Sequence, residues 1–362
     1  MKEGDGLKKY EREMLKRRLE NEEDIIKKLE LIYEQASKDC ADKIAYLSTR
    51  TDMENLQSII YQKQYQEALK KQIDGILDIL HSNEFENISE YLALCYEEGF
   101  IDVLYSLQQQ KIPLIFPIDQ QAVVKAIQTD SNLSTDLYTR LGEDIKELKT
   151  TIRAEISRGI SNGSTYNEIA KQIAIGMNSP FNKAFNNAIR ISRTEGNRIA
   201  NQSAMDACIR AKEMGADIVR QWDSTLDGHT RPSHRKVDGE IRELDEPFSN
   251  GLMFPSDPNG KASEVINCRC TLLERARWNL EGSMTKMNNF TKEIEKFESE
   301  DDYKKFKKAF YSDENVRYMN YIETLQERYK TKDFKKVLER MTEREYEHYS
   351  KLLKATPIYK NK

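Results

Sequence analysis

From about residue 8 to 110, apolar side chains recur at steps of three and four: Ile25, Leu29, Ile32, Ala36, Cys40, Ile44 and Leu47, then Ile59, Leu69, Ile73, Ile76 and Leu80. That period gathers them on one side of an α-helix. The Lys, Glu, Gln and Arg between them are good helix formers that suit a solvated face, and the spacing is too irregular for a sustained heptad. The pattern predicts amphipathic helices packed in a bundle or docked on a partner, not a free coiled coil. Lys111-Ile112-Pro113-Leu114-Ile115-Phe116-Pro117 breaks it, because each proline removes a donor and pushes the residue before it toward extended backbone. A second helical block follows, with Val123, Val124 and Ile127, then Leu137, Leu141, Ile145, Leu148 and Ile152. After Gly159 and Gly163, Thr165-Tyr166-Asn167-Glu168 reads as a capping box opening a helix through Ile169, Ile173 and Ile175, with Ser179-Pro180 as its stop. Residues 181–215 predict one long helix, with Ala184, Ala188, Ile191, Ile199, Ala207 and Met214 on one side and Gly215 as its C-terminal stop.

Beyond residue 215 the pattern changes. Pro232, Pro247, Pro255 and Pro258 are interleaved with Gly228, Gly239, Gly251 and Gly260, so turns are dense. Short strands are predicted at 218–222, 240–242 and 265–273, with Asp238-Gly239 as a tight hairpin turn. After Trp278 the charged helical texture returns. Phe297, Tyr303, Phe306, Phe310, Tyr318, Tyr321, Tyr329 and Phe334 supply enough apolar surface for two or three helices in a loosely packed tail. The fold class is therefore α+β: a predominantly helical chain with a small module of a few short antiparallel strands. Its regions are an N-terminal helical block suited to partner docking (1–112), a helical connecting region (113–180), the α+β module (181–278) and a charged helical tail (279–362).

Composition sharpens this in three ways. Charged residues make up 33% of the chain against about 25% in a typical domain, as expected for long solvated helices. Lys and Arg number 57 against 61 Asp and Glu, a net charge of −4, which excludes a basic protein that coats nucleic acid. Residues 283–362 nevertheless hold 19 Lys and Arg against 15 Asp and Glu. There Lys304, Lys305, Lys307 and Lys308 lie beside aromatic residues, a candidate for weak nucleic-acid contact. No apolar run approaches the roughly 18 residues of a membrane span, and no apolar segment follows the N-terminus, so the chain is expected to be made and kept in a cytoplasm. Five cysteines, an odd and sparse set, agree with a reducing compartment. There is no Walker A motif and no dinucleotide fingerprint, which excludes an ATP-driven motor.

The candidate chemistry lies between Arg193 and Cys270. Arg193, Glu195 and Arg198 fall within two turns of one helix, and Glu195 with Arg198 is an i,i+3 pair. They read as an ion-pair network fixing that helix to the α+β module. With Asp227, Arg231 and His234 they form the expected structural polar cluster. Asp227, His234, Cys268 and Cys270 also comprise carboxylate, imidazole and thiolate, the donor types that suit zinc. In a regular strand Cys268 and Cys270 would share a face with Arg269 opposite. Structural zinc is the one cofactor these residues suggest; buried unligated thiols and a disulfide are the alternatives. Ser233, His234 and Asp227 hold the residue types of a catalytic triad, but no Gly-x-Ser-x-Gly elbow is present.

Arg193-Thr194-Glu195 with Asn197, Arg198 and Asn201, then Trp222, Asp227, Thr230-Arg231, His234, Asp238-Gly239, Phe248, Pro255 and Asn267-Cys268-Arg269-Cys270, resembles the phage Mu F-like minor head proteins, the head-morphogenesis family of tailed phages. The likeness covers roughly residues 150–275. Where that family shows an Asp-x-Arg-Thr-Arg-like run, this chain has Asp227-Gly228-His229-Thr230-Arg231, so His229 reads as a local variation instead of a ligand. The resemblance implies a nonenzymatic minor head (capsid) protein, in the virion head near the portal vertex and in the host cytoplasm during assembly. It implies the portal protein and other head proteins as partners, weak DNA contact, no membrane, and a part in head morphogenesis and in DNA packaging or ejection. The alternative is a metal-dependent nuclease or transferase using Asp227, His234 and Glu195; a third reading is a host-directed effector in the tail.

Overall fold

The computed structural model describes residues 5–46, 59–128, 137–162, 164, 166–174, 179–280, 284–291, 293–356 and 358. Leu47, Gly163, Thr165 and Ile175, and the side chains of Ile59, Val124 and Ile127, lie outside what is described. The chain forms two compact units, Met1–Met214 with Gly251–Cys268, and Gly215–Asn250 with Arg269–Lys362. The segment 181–278 thus contributes to both.

The first unit is helical: α1 (Asp5–Tyr46), α2 (Ile59–Gln109), α3 (Gln120–Gln128), α4 (Leu137–Ser161), α5 (Tyr166–Ile173) and α6 (Pro180–Glu213). The apolar stripe of α1 is buried at Ile25, Leu29, Tyr33, Ala36, Cys40 and Ile44, and that of α2 runs from Leu69 through Ile73, Leu77 and Leu80 to Leu107. Ile32 and Ile76 are only half-buried, and their neighbours Tyr33 and Leu77 take the core positions. The stripes face other helices of the same unit: α2 packs on α6, α1 and α4, and α1 on α5 and α6. Ser179-Pro180 does not merely stop α5, as the sequence predicts; it opens α6. The Ser179 hydroxyl accepts from the Phe181 N–H (3.3 Å) and donates to the Ile173 carbonyl (3.1 Å), and Pro180 takes the first helical position, where its missing N–H costs nothing.

Small residues let α6 be buried on several sides, with Ala184, Ala188, Ala200, Ala204, Ala207 and Ala211 all in the core. At Gly99 of α2 a Cβ would stand 2.6 Å from the Ala200 carbonyl oxygen, so α2 and α6 approach backbone to backbone. The segment Gly251–Cys268 carries one helical turn, α8 (Ala262–Val265). Asp257 ties it locally, accepting from the Met253 and Asn259 N–H groups at 2.9 Å each. Asn197 of α6 donates to the Ser256 hydroxyl at 2.9 Å.

The second unit holds a three-stranded antiparallel sheet with β1 (Ile218–Asp223) between β2 (Ile241–Arg242) and β3 (Thr271–Ala276). The β1–β3 register pairs Asp223 with Thr271 and Ile218 with Ala276. Helix α7 (Pro232–Val237) lies between β1 and β2 in sequence, so Asp238-Gly239 is not the expected hairpin turn. Gly239, at φ +83°, instead carries the chain out of α7 into β2, and its N–H donates to the Trp222 carbonyl at 2.8 Å. The strand predicted at 265–273 begins only at Thr271, because Val265 still closes α8 and Asn267 turns the chain with φ 55°.

The tail departs furthest from expectation. After a 3-10 turn at Arg277–Asn279 come a hairpin, β4 (Met284–Asn288) with β5 (Glu293–Phe297), and four helices, α9 (Glu300–Phe310), α10 (Asp313–Arg328), α11 (Phe334–Arg340) and α12 (Glu343–Ala355). The helices are capped by Ser299, Ser312, Asp333 and Thr342, each satisfying N–H groups a helix start leaves open. Leu226, Phe310, Tyr318, Met319, Ile322 and Tyr349 form one buried cluster, so the tail is packed into its unit and not loosely appended. Among the described residues no helix is long and apolar enough to cross a membrane.

Candidate functional site

In the first unit the centre of the motif is Glu195. It is buried, and its carboxylate accepts from Arg140 of α4 at 2.9 Å and from Arg198 at 2.6 Å. Burial pushes the carboxyl up, but the two guanidiniums prevail and hold it below the usual glutamate value. Arg198 is itself buried and donates to the Ala126 carbonyl at 3.1 Å. Arg193 is exposed and pairs with Glu22 of α1 at 2.7 Å. The network predicted to fix this helix to the α+β module therefore ties α6 to α1, α3 and α4.

In the second unit Asp227 does the work of a loop clamp. Its Oδ1 accepts from the His229 and Thr230 N–H groups (3.0 and 3.1 Å) and from Arg269 Nη2 (3.0 Å), while Oδ2 takes Arg269 Nη1. Asp227 is thus held by Arg269 and the backbone of its own loop, and among the described residues the donors grouped within reach of one another are His234, Cys268 and Cys270, without it. His229 is exposed and pairs with Glu323 of α10, which agrees with its reading as a variation. Arg231 is half-buried at the N-cap position of α7.

His234 sits inside α7 and is buried. Its carbonyl accepts from the Ser224 hydroxyl at 2.8 Å, and the Trp222 ring meets its imidazole edge-on at 5.2 Å. Its Nδ1 lies 3.3 Å from Cys270 Sγ. Cys268 and Cys270 are both buried and precede β3, so they do not lie on a regular strand as the sequence predicts. Among the described residues none of the five cysteines forms a disulfide.

Sequence reasoning missed a buried ionic cluster. Lys286 of β4 donates to Asp238 and lies 3.0 Å from Asp223, and the Tyr303 hydroxyl also donates to Asp238. Burial lowers the Lys286 pKa, but the two carboxylates more than reverse this and leave it well above the ordinary lysine value. Asp238 was visible as a turn and motif residue, and nothing in the sequence pairs it with a lysine 48 positions away. Arg220, fully buried in β1, was also missed; it donates to the Glu243 and Glu246 carbonyls beneath the Phe248 ring. The candidate lysine patch is largely occupied. Lys304 and Lys305 pair with Glu300, Asp301 and Asp302, and Lys307 donates to the Asp238 carbonyl at 2.8 Å. Only Lys308 is exposed with no such acidic partner described.

Residues 150–273 match the family model described as Phage Mu protein F like protein. The motif-bearing segment is thus Mu F-like, with nearly the limits read from the sequence. Over 285 residues, 77% of this chain, the sequence is 29% identical to the NAD(+)--arginine ADP-ribosyltransferase EFV of Enterococcus faecalis. The match covers 54% of that protein, so this chain spans about half its length. Over 275 residues, 70% of this chain and 86% of the relative, it is 25% identical to the Minor head protein GP7 of Bacillus phage SPP1. No solved structure matches.

Proposed function

We propose that this protein is a minor head protein of a tailed phage or prophage, acting in head morphogenesis. The observation that carries this reading is the likeness to Minor head protein GP7 across 86% of that relative's length, centred on the Mu F-like segment. The site geometry supports it. Glu195 is held by two arginines, and Asp227 by Arg269 and two backbone amides, which is the use of a carboxylate that stabilises a fold and not of one held ready for substrate. On this reading the chain occupies the virion head after assembly in the host cytoplasm. It contacts the portal protein and other head proteins near the portal vertex, and contributes to DNA packaging or ejection. Co-expression with the portal protein tests the association: the chain is expected to co-purify with portal rings, and separate elution of the two folded proteins would overturn it.

One observation favours a second reading. The enzyme named among the relatives matches over 77% of this chain, and Asp227, His234 and Glu195 are residue types a metal-dependent transferase uses. The printed activity belongs to a protein about half of which this match leaves out. Incubation of the folded chain with NAD and an arginine-bearing acceptor is expected to transfer nothing; transfer abolished by Glu195→Gln in a folded variant would establish the enzymatic reading instead.

A further inference from the structure

We propose that His234, Cys268 and Cys270 bind one zinc ion that staples α7 to the start of β3. The three side chains are buried, with relative exposures of 1%, 2% and 2%. Each offers one ligand atom, and these atoms all lie within 4.8 Å of one another. Around a tetrahedral zinc with bonds of about 2.0–2.3 Å, donor atoms stand roughly 3.3–3.8 Å apart. The 3.3 Å between His234 Nδ1 and Cys270 Sγ already meets that spacing, and the Cys268 ligand atom lies within 4.8 Å of those of the other two.

Charge and positioning point the same way. Two thiolates neutralise a dication and a neutral imidazole adds no charge, so the complex can be buried without the penalty that attends an isolated ion. The residue between the cysteines is held at both ends: the Arg269 carbonyl accepts from Thr225 Oγ1 at 2.7 Å, and its guanidinium is locked on Asp227. On the other side Pro232 starts α7 and the Trp222 edge braces the His234 ring, as supporting contacts do around a built metal site. Three protein donors leave the fourth corner of the tetrahedron to a solvent molecule.

The inference rests on geometry and stands or falls separately from the head-protein reading. The full chain, purified in reducing buffer without chelator, is expected to carry about one zinc per molecule by mass-spectrometric metal analysis. The cobalt-substituted chain is expected to show thiolate-to-metal charge-transfer bands. Cys270→Ser and His234→Ala should lose the metal while Cys95→Ser keeps it, and chelation should lower the melting temperature. Should either site variant fail to fold, the metal content and cobalt spectrum of the unsubstituted chain decide. A folded chain that takes up no zinc or cobalt when either is supplied, and melts identically with and without chelator, would reduce the cluster to a thiol hydrogen-bonded to an imidazole and overturn the proposal.

Discussion

Glu84 and Glu195 are both buried glutamates of the first unit, and their surroundings drive them in opposite directions. Burial pushes Glu84 up to about 8; the Tyr33 hydroxyl, donating at 2.9 Å, pulls the other way without cancelling it. An acid whose folded pKa lies above its unfolded value near 4.5 holds a proton that the unfolded chain has released. Its contribution therefore weakens as pH rises from about 4.5 to about 8. Glu84→Gln keeps the acceptor and removes the titration. It is expected to flatten the pH dependence of urea stability across that window and to exceed the parent protein at its upper end; an unchanged slope would refute this. Glu195 is the reverse case, held below its ordinary value by Arg198 and Arg140 against the cost of burial. Its contribution is present above the ordinary glutamate range and lost as pH falls through the folded pKa. Glu195→Gln leaves Arg198 buried without its counter-charge and is expected to cost about 3 kcal/mol in chemical denaturation. A neutral result would free Glu195 for another task. Both residue types were readable in the sequence, and Arg198 was recognisable as an i,i+3 partner. Arg140, 55 positions away, was not, because which arginine meets a carboxylate depends on helix packing.

At the scale of elements, helices were legible wherever the apolar period ran uninterrupted, as in α1, α2, α4 and α6. The errors gather where short-range signals have two meanings. Ser-Pro after a helix reads as a stop, yet the same pair caps and starts the next helix. Met284–Asn288 and Glu293–Phe297 carry Lys and Glu that count as helix formers, and only their mutual pairing makes them strands, since strand preference depends on what lies opposite. Asn267, with φ 55°, turns the chain after α8 and accounts for the late start of β3. The α2–α6 approach gives the prediction proper to this scale. Gly99→Ala would place a methyl 2.6 Å from the Ala200 carbonyl, and a backbone atom cannot yield as a flexible side-chain tip can. A loss of about 1–3 kcal/mol is expected in thermal or urea unfolding; a neutral or stabilising effect would contradict the close approach.

For the whole molecule, the sequence located the Mu F-like segment almost to its limits, because the order and spacing of many residues taken together are more specific than any single motif. It could not show that this segment is shared between two compact units, since that division is made by contacts distant in sequence. Nor could it show that Phe310, Tyr318, Met319 and Ile322 of the tail share one core with Leu226. The apolar stripes of the N-terminal block, which suited either a partner or the chain itself, face other helices of their own unit, while Leu31 of α1 and Ile79 of α2 stay exposed. The same picture treats the motif residues as ties within a particle component. Its most direct test is the protein content of purified heads from an induced host carrying this gene with its neighbours. The account predicts the chain in the particles, in far fewer copies than the coat protein. Particles that lack it, while the lysate contains it folded and abundant, would contradict the account.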